Sequence, residues 1–202
     1  MEENKYRRPD PWRTLESVQW LVSPWLALRH DRVLTHTQDE IGYTYVEHPG
    51  SVLVVPCTCR GEILLLRQYR YPTHSWYWEC PAGSLERDGE QLESAEEAVR
   101  RELYEEMGAT CEQLQFMGSF STNNSMSNEV CSIFFASDVA AGRPAHPERS
   151  ELLYTVAVPY QQVREMARQG EIADGRSALA LLLCEPAIED YLDSTQEEAS
   201  VT

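Results

Sequence analysis

Residues 81–109 constrain the fold of this chain more than any other stretch. Pro81-Ala82-Gly83 opens it as a turn, a charged loop runs through Gly89 and Glu90, and Ser94 stands three residues before Glu97. That spacing is the signature of a capping box, in which the serine oxygen and the glutamate carboxylate each take an amide hydrogen left over at a helix start. Gly108 supplies a left-handed stop. A helix of about thirteen residues is therefore predicted. At about 100° per residue, Val99, Leu103 and Met107 form one stripe that needs a core to cover it, while Glu102, Glu105 and Glu106 share an arc roughly a quarter turn wide.

Three carboxylates within one turn repel one another and raise some of their own pKa values unless a cation sits among them. Hard oxygen ligands suit Mg²⁺ or Mn²⁺, which keep part of their water shell and take phosphate oxygens at the open positions. The bland alternative is a solvated acidic face, which most Glu-rich helices have. Here the acids come with the Pro-Ala-Gly turn, with Arg101 and with the Gly108 stop, a combination far rarer than any one part.

At these residues the chain resembles the Nudix hydrolases, whose box reads Gly, five residues, Glu, seven residues, Arg-Glu-apolar-X-Glu-Glu-X-Gly-apolar. Glu93, Arg101, Glu102, Leu103, Glu105, Glu106, Gly108 and Ala109 match its second half. The first half departs, because nine residues lie between Gly83 and Glu93. Either the loop carries an insertion, or Glu90 is the true partner of the glycine. The resemblance implies an α/β/α sandwich with a mixed central sheet and an N-terminal β extension. It also implies hydrolysis of the pyrophosphate bond in a nucleoside diphosphate joined to a sugar, of the ADP-ribose, ADP-glucose or GDP-mannose type.

In that family's terms, the carbonyl of Ala82 with Glu102, Glu105 and Glu106 would hold two to three Mg²⁺ or Mn²⁺ ions that bridge phosphate oxygens and activate a water. Gly83 lets the backbone approach closely. Arg101 is an orienter, its planar fork holding Glu105 or Glu93. Glu105, or Glu129 in the polar loop 122–129, accepts the proton of the attacking water. Arg70 reaches a phosphate or base, Arg67 pairs with surface acids, and Glu79 either holds substrate or pairs with an arginine. The ADP-ribose subgroup carries a proline at a position that falls near Asn124 here, and the loop has none. That departure counts against ADP-ribose as sole substrate. Two other classes compete: a binding module of this fold that does not cleave, against which stands the retention of all three acids, and a docking protein whose acidic helix is only a soluble face.

The rest of the chain fits one good core with a modest extension in 202 residues. A net charge of −16 excludes nucleic acid as a bulk partner, since a phosphate backbone needs a basic footprint. A small anion stays open where cations and local arginines reverse the sign. The six cysteines show no ligand-like spacing beyond Cys57-X-Cys59 and read as reduced core residues. No apolar leader opens the sequence, and the run 178–184 is too short to cross a bilayer, so a cytoplasmic protein free of membrane is expected. Four segments result: a disordered tail 1–11, a strand extension 12–44, a hydrolase domain 45–192 and a frayed acidic tail 193–202.

Within the extension, 25–33 and 43–47 alternate as strands, whereas 12–20 shows no clear period. Such an N-terminal pair commonly packs across a two-fold partner in nucleotide-sugar hydrolases of the family, which implies a homodimer, although Trp12, Trp20 and Trp25 read equally as intramolecular core. Residues 51–56 and 63–67 read as buried strands, 76–80 as the strand leading to the Pro81 turn, and 114–121 with 130–139 as a pair. A last strand covers 152–158, followed by helices from Pro159 to Arg168 and over 177–184.

Overall fold

The computed structural model describes residues 11–200 except Pro24, Glu90 and Arg143. The tail expected over 1–11, Pro11 apart, the last two residues of the tail expected over 193–202, and the alternative at Glu90 lie outside the described residues. The chain divides into two compact units, one running up to Pro49 with Asn123–Glu129, the other holding Gly50–Thr122 and everything from Val130 on.

The first unit is an antiparallel sheet of three strands, β1 (Arg13–Val22), β2 (Ala27–Leu34) and β3 (Glu40–Glu47), with β2 central. The sequence shows β2 and β3 but not β1. Nearly every residue of β1 is exposed, so neither face imposes the alternation by which a half-buried strand is recognised. Residues 123–129 join this unit through Val46, whose amide donates to the Met126 carbonyl at 2.8 Å while the Asn128 amide donates to its carbonyl at 3.3 Å.

In the second unit, β4 (Ser51–Pro56), β5 (Glu62–Arg70) and β6 (Ser75–Glu79) lead to β7 (Ala82–Ser84). A small hairpin of β8 (Arg87–Asp88) and β9 (Gln91–Leu92) precedes α1 (Ala95–Met107). There follow β10 (Ala109–Thr110), β11 (Gln113–Ser121), β12 (Val130–Ser137), β13 (Ala140–Ala141), β14 (Leu153–Pro159), α2 (Tyr160–Arg168) and α3 (Gly175–Ser200). One sheet runs β11-β12-β4-β7, mixed because β12 and β4 are parallel; the other runs β14-β5-β6 and is antiparallel.

The buried runs of β4 and β5 explain the layering. Val52, Val54, Leu64 and Leu66 cluster with Val99, Leu103 and Met107 of α1. Their neighbours Leu53, Val55, Ile63 and Leu65 point the other way and pack on Val163, Met166, Leu181, Cys184 and Ile188 of α2 and α3. Strands covered on both faces lose polar alternation and become continuous apolar runs. The predicted α/β/α sandwich with a mixed sheet is the observed one.

Two expectations need correction. Helix α3 continues past Cys184, through Pro186, to Ser200, so 193–200 is helical rather than frayed. A proline normally ends a helix, but Ile188 is buried beyond it and Tyr191 O–H donates to Asp138 Oδ1 at 2.6 Å, and this packing carries the helix onward. Among the described residues Arg67 pairs with no acid: it donates to the Trp76 carbonyl at 3.0 Å and stacks over the Trp78 ring. The six cysteines carry no disulfide, and among the described residues no helix is long and apolar enough to cross a membrane.

Candidate active site

Helix α1 and strand β7 are matched residue by residue. The Ala82 amide donates to Glu106 Oε2 at 3.1 Å, and the Ser84 carbonyl accepts from Arg101 Nη2 at 3.0 Å. Between them Gly83 leaves the space that Glu102 fills, since a Cβ at Gly83 would lie 1.6 Å from Glu102 Oε1. Only glycine fits there. The helix itself is fixed by the predicted capping box, with Glu97 N on Ser94 Oγ and Ser94 N on Glu97 Oε2, and by Gly108 at φ 59°.

The acidic arc is not a solvated face. Glu106 is 2% exposed and Glu102 7%; only the Glu105 side chain, at 40%, reaches water substantially. Burial pushes the Glu102 carboxyl up to about 7, against the pull of Arg101, with Glu105 and Glu151 adding to the rise. Glu106 lies well above the carboxylate range, first through burial and then through the charges of Glu102 and Glu151. Such crowding of buried acids is costly unless protons or cations relieve it.

Arg101 pairs with both acids expected of it and with Glu102 as well. Its Nε and Nη2 donate to the two oxygens of Glu93 at 3.0 and 2.9 Å, a bidentate fork, while Nη1 reaches Glu102 at 2.7 Å and Glu105 at 3.1 Å. Burial favours the neutral form of Glu93, but these bonds and one from the Glu86 amide hold its carboxyl below the usual range. The extra residues of the loop form the β8–β9 hairpin, closed at its base by Glu93 N to Glu86 O at 2.9 Å and Glu86 N to Glu93 Oε2 at 3.2 Å. Thus the insertion bulges outward while Glu93 keeps its place beside Arg101.

Arg70, at the end of β5, gives Nε and Nη2 to Glu79 at 2.9 and 2.5 Å. Of the two readings of Glu79, the structure shows the arginine partner. Burial opposes the charge of the Arg70 guanidinium, while Glu79 and, more weakly, the charges of Glu106 and Asp174 raise its pKa. On the same face of β5, two residues back, Gln68 is 2% exposed and its side-chain oxygen has no hydrogen-bond partner among the described residues.

The structure adds Glu151, which sequence reasoning missed. Its carboxyl is half-buried and raised by that burial, Glu105 adds to the rise, and its own charge raises Glu102 and Glu106. The loop before β14 presents it: Glu148 N donates to Glu151 Oε2 at 2.9 Å, and His146 N donates to the Glu105 carbonyl at 2.7 Å. The available signal was an acid two residues before a strand, but only the pairing of Leu153 with Gln68 puts that acid near Arg70. Glu129 belongs to the first unit, where its carboxylate lies 3.9 Å from His48 Nδ1 and its amide donates to Ser127 Oγ.

The donor set fits a hard divalent cation. Two buried carboxylates, pushed toward protonation first by burial and then by neighbouring acids, flank a backbone turn whose glycine admits a side chain where a Cβ would sit. Among the described residues no three His, Cys, Asp or Glu side chains converge as in an all-protein cage. One or two carboxylates with a backbone oxygen is instead the arrangement for an ion that retains water and meets substrate phosphates.

A strand whose glycine receives a carboxylate from a helix of buried acids is a hydrolase site by comparison with known proteins, which also give it a family. Residues 47–180 match the NUDIX domain, and the chain belongs to the Nudix hydrolases. An ADP-ribose pyrophosphatase of Mycobacterium tuberculosis is 30% identical over 176 residues, 85% of this chain and 82% of that one. Another, of Bacillus subtilis, is 28% identical over 137 residues, 67% and 72% respectively. The crystal structure of an ADP compounds hydrolase matches 92% of this chain and 98% of its own with a TM-score of 0.75 at 20% identity, a likeness of fold.

Proposed function

We propose that this protein hydrolyses the pyrophosphate bond of a nucleoside diphosphate joined to a sugar, giving a nucleoside monophosphate and a sugar phosphate, with Mg²⁺ or Mn²⁺ as cofactor. The observation that carries the reading is the burial of Glu102 and Glu106 against Ala82 and Gly83. Acids desolvated to that degree need a positive guest. The relatives that are ADP-ribose pyrophosphatases support an ADP-sugar, while the absent loop proline argues for assaying ADP-glucose and GDP-mannose alongside ADP-ribose.

The Ala82 carbonyl with Glu102, Glu105 and Glu106 would hold the cations, which, when bound, neutralise charge gathering on the phosphates and make a water easier to deprotonate. Arg101 fixes the directions of Glu102 and Glu105 from its anchor on Glu93. Arg70 is the cation for the diphosphate, aligned by Glu79. Of the candidate bases, Glu151 suits the task best. Its raised pKa brings it nearer to neutrality, and it is not spent on an arginine as Glu105 is. A homodimer built through the first unit's sheet completes the reading.

The test is a panel of nucleotide sugars incubated with Mg²⁺ or Mn²⁺, with and without EDTA, and products identified by mass. Release of monophosphate and sugar phosphate, abolished by EDTA, is expected. Binding of the same compounds with no cleavage under either metal would instead make the protein a sensor.

A further inference from the structure

Glu79 is 3% exposed, and a carboxylate so deeply placed must keep a cation at all times. Arg70 supplies one. A second stands on the other side, Arg176, with Nη2 3.8 Å from Glu79 Oε2 and Nε 3.6 Å from Asp174 Oδ1. Asp174, Arg176, Glu79 and Arg70 thus form a row of alternating charge whose last member also feels the charge of Glu106. The row is built in, because the start of α3 is tied to the strand carrying Glu79. Ser177 Oγ accepts from the Cys80 amide at 2.9 Å and donates to Asp174 Oδ2 at 2.7 Å, and Ser177 N donates to the same oxygen at 3.0 Å.

We infer that Arg176 is a positioning residue for substrate binding, acting through Glu79 on Arg70; the inference rests on the reading of Arg70 as the diphosphate cation. Arg70 spends Nε and Nη2 on Glu79. Any shift of its guanidinium toward a phosphate strips a buried carboxylate of its bidentate partner, at a cost set by what remains beside it. Arg176 is what remains. It lies just beyond hydrogen-bond distance in the resting chain, so it can close on Glu79 as Arg70 turns to its ligand. Without it, Glu79 competes for Arg70 and the ligand binds more weakly, whereas the groups around the scissile bond are unchanged.

The experiment compares the parent with Arg176→Ala, Arg176→Lys, Glu79→Gln and the Arg176→Ala/Glu79→Gln double variant, all checked for an unaltered melting transition. Calorimetric Kd for ADP with Mg²⁺ is read for each, with KM and kcat wherever a nucleotide sugar is cleaved. Arg176→Ala is expected to raise Kd and KM roughly tenfold with kcat within about a factor of two, and Arg176→Lys to restore most of the affinity. In the Glu79→Gln background the same change should do nothing, because the charge it serves is gone. Unchanged Kd in Arg176→Ala, or a full additive loss in the double variant, would overturn the inference. A parent that binds ADP but cleaves nothing would refute the enzymatic reading and leave the Kd comparison to decide this one.

Discussion

Gly83 shows how a single missing side chain decides a site. With Glu102 Oε1 1.6 Å from where its Cβ would stand, Gly83→Ala must move the carboxylate by an ångström or more. Activity should fall about a hundredfold in a chain that still folds, read as kcat against the melting curve. Glu106→Gln removes one acid of the buried pair without changing its shape, so it should cost at least about a hundredfold in rate while leaving the fold intact; parental turnover would dismiss α1 as the metal helix. The raised carboxyls also set the pH dependence. Glu102 holds its proton up to about 7 in the folded chain, so between the usual carboxylate pKa and that value the folded state binds a proton that the unfolded state has lost. Stability must therefore fall as pH rises through this window. In EDTA the melting temperature should drop between pH 5 and 7.5 by on the order of 5 °C. Mg²⁺ should restore it at the upper end only, and Glu102→Gln should flatten the profile.

Among the elements, α1 was the most legible because everything that defines it is local: a cap three residues from its partner, a 3.6-residue stripe and a glycine stop. Ser94→Ala removes both bonds of its hydroxyl to Glu97 and should cost about 1 kcal/mol, read in denaturant unfolding, with kcat changed little because the three acids lie toward the other end of the helix. The buried strands were legible too, since β4 and β5 are apolar on both faces. What stayed hidden depends on partners far along the chain. Strand β1 has no buried face to imprint a period, α3 runs past Pro186 only because Ile188 and Tyr191 find the core, and Glu151 enters the site through the register of β14 on β5. Glu93 was ambiguous for a related reason: counting residues cannot show that a hairpin loops out and returns the chain to Arg101.

At the scale of the molecule, the first unit poses a question of its own. Along β1, Ser17 and Gln19 turn toward Asp31 and Glu47, to which they donate hydrogen bonds. Across the bulge between Gln19 and Leu21, Val18 and Leu21 register with His30 and Leu28 on the opposite face, and both are exposed, as is Trp20, at 60%, its ring stacked on His30 at 4.6 Å between centroids. A sheet face that leaves Val18, Trp20 and Leu21 uncovered beside its ion pairs is the kind of surface that a second protein layer buries. In a chain of net charge −16, association through charged faces is opposed by self-repulsion, so an apolar contact is the one able to hold two copies together. Sedimentation velocity should accordingly find a dimer at micromolar concentration. Trp20→Glu places a charge at the centre of that face and should yield monomers. Its melting temperature, measured below the dimer's dissociation range, should stay within about 2 °C of the parent, as expected for an exposed position. A parent that sediments as a monomer at every concentration would leave the apolar face without a second copy to cover it.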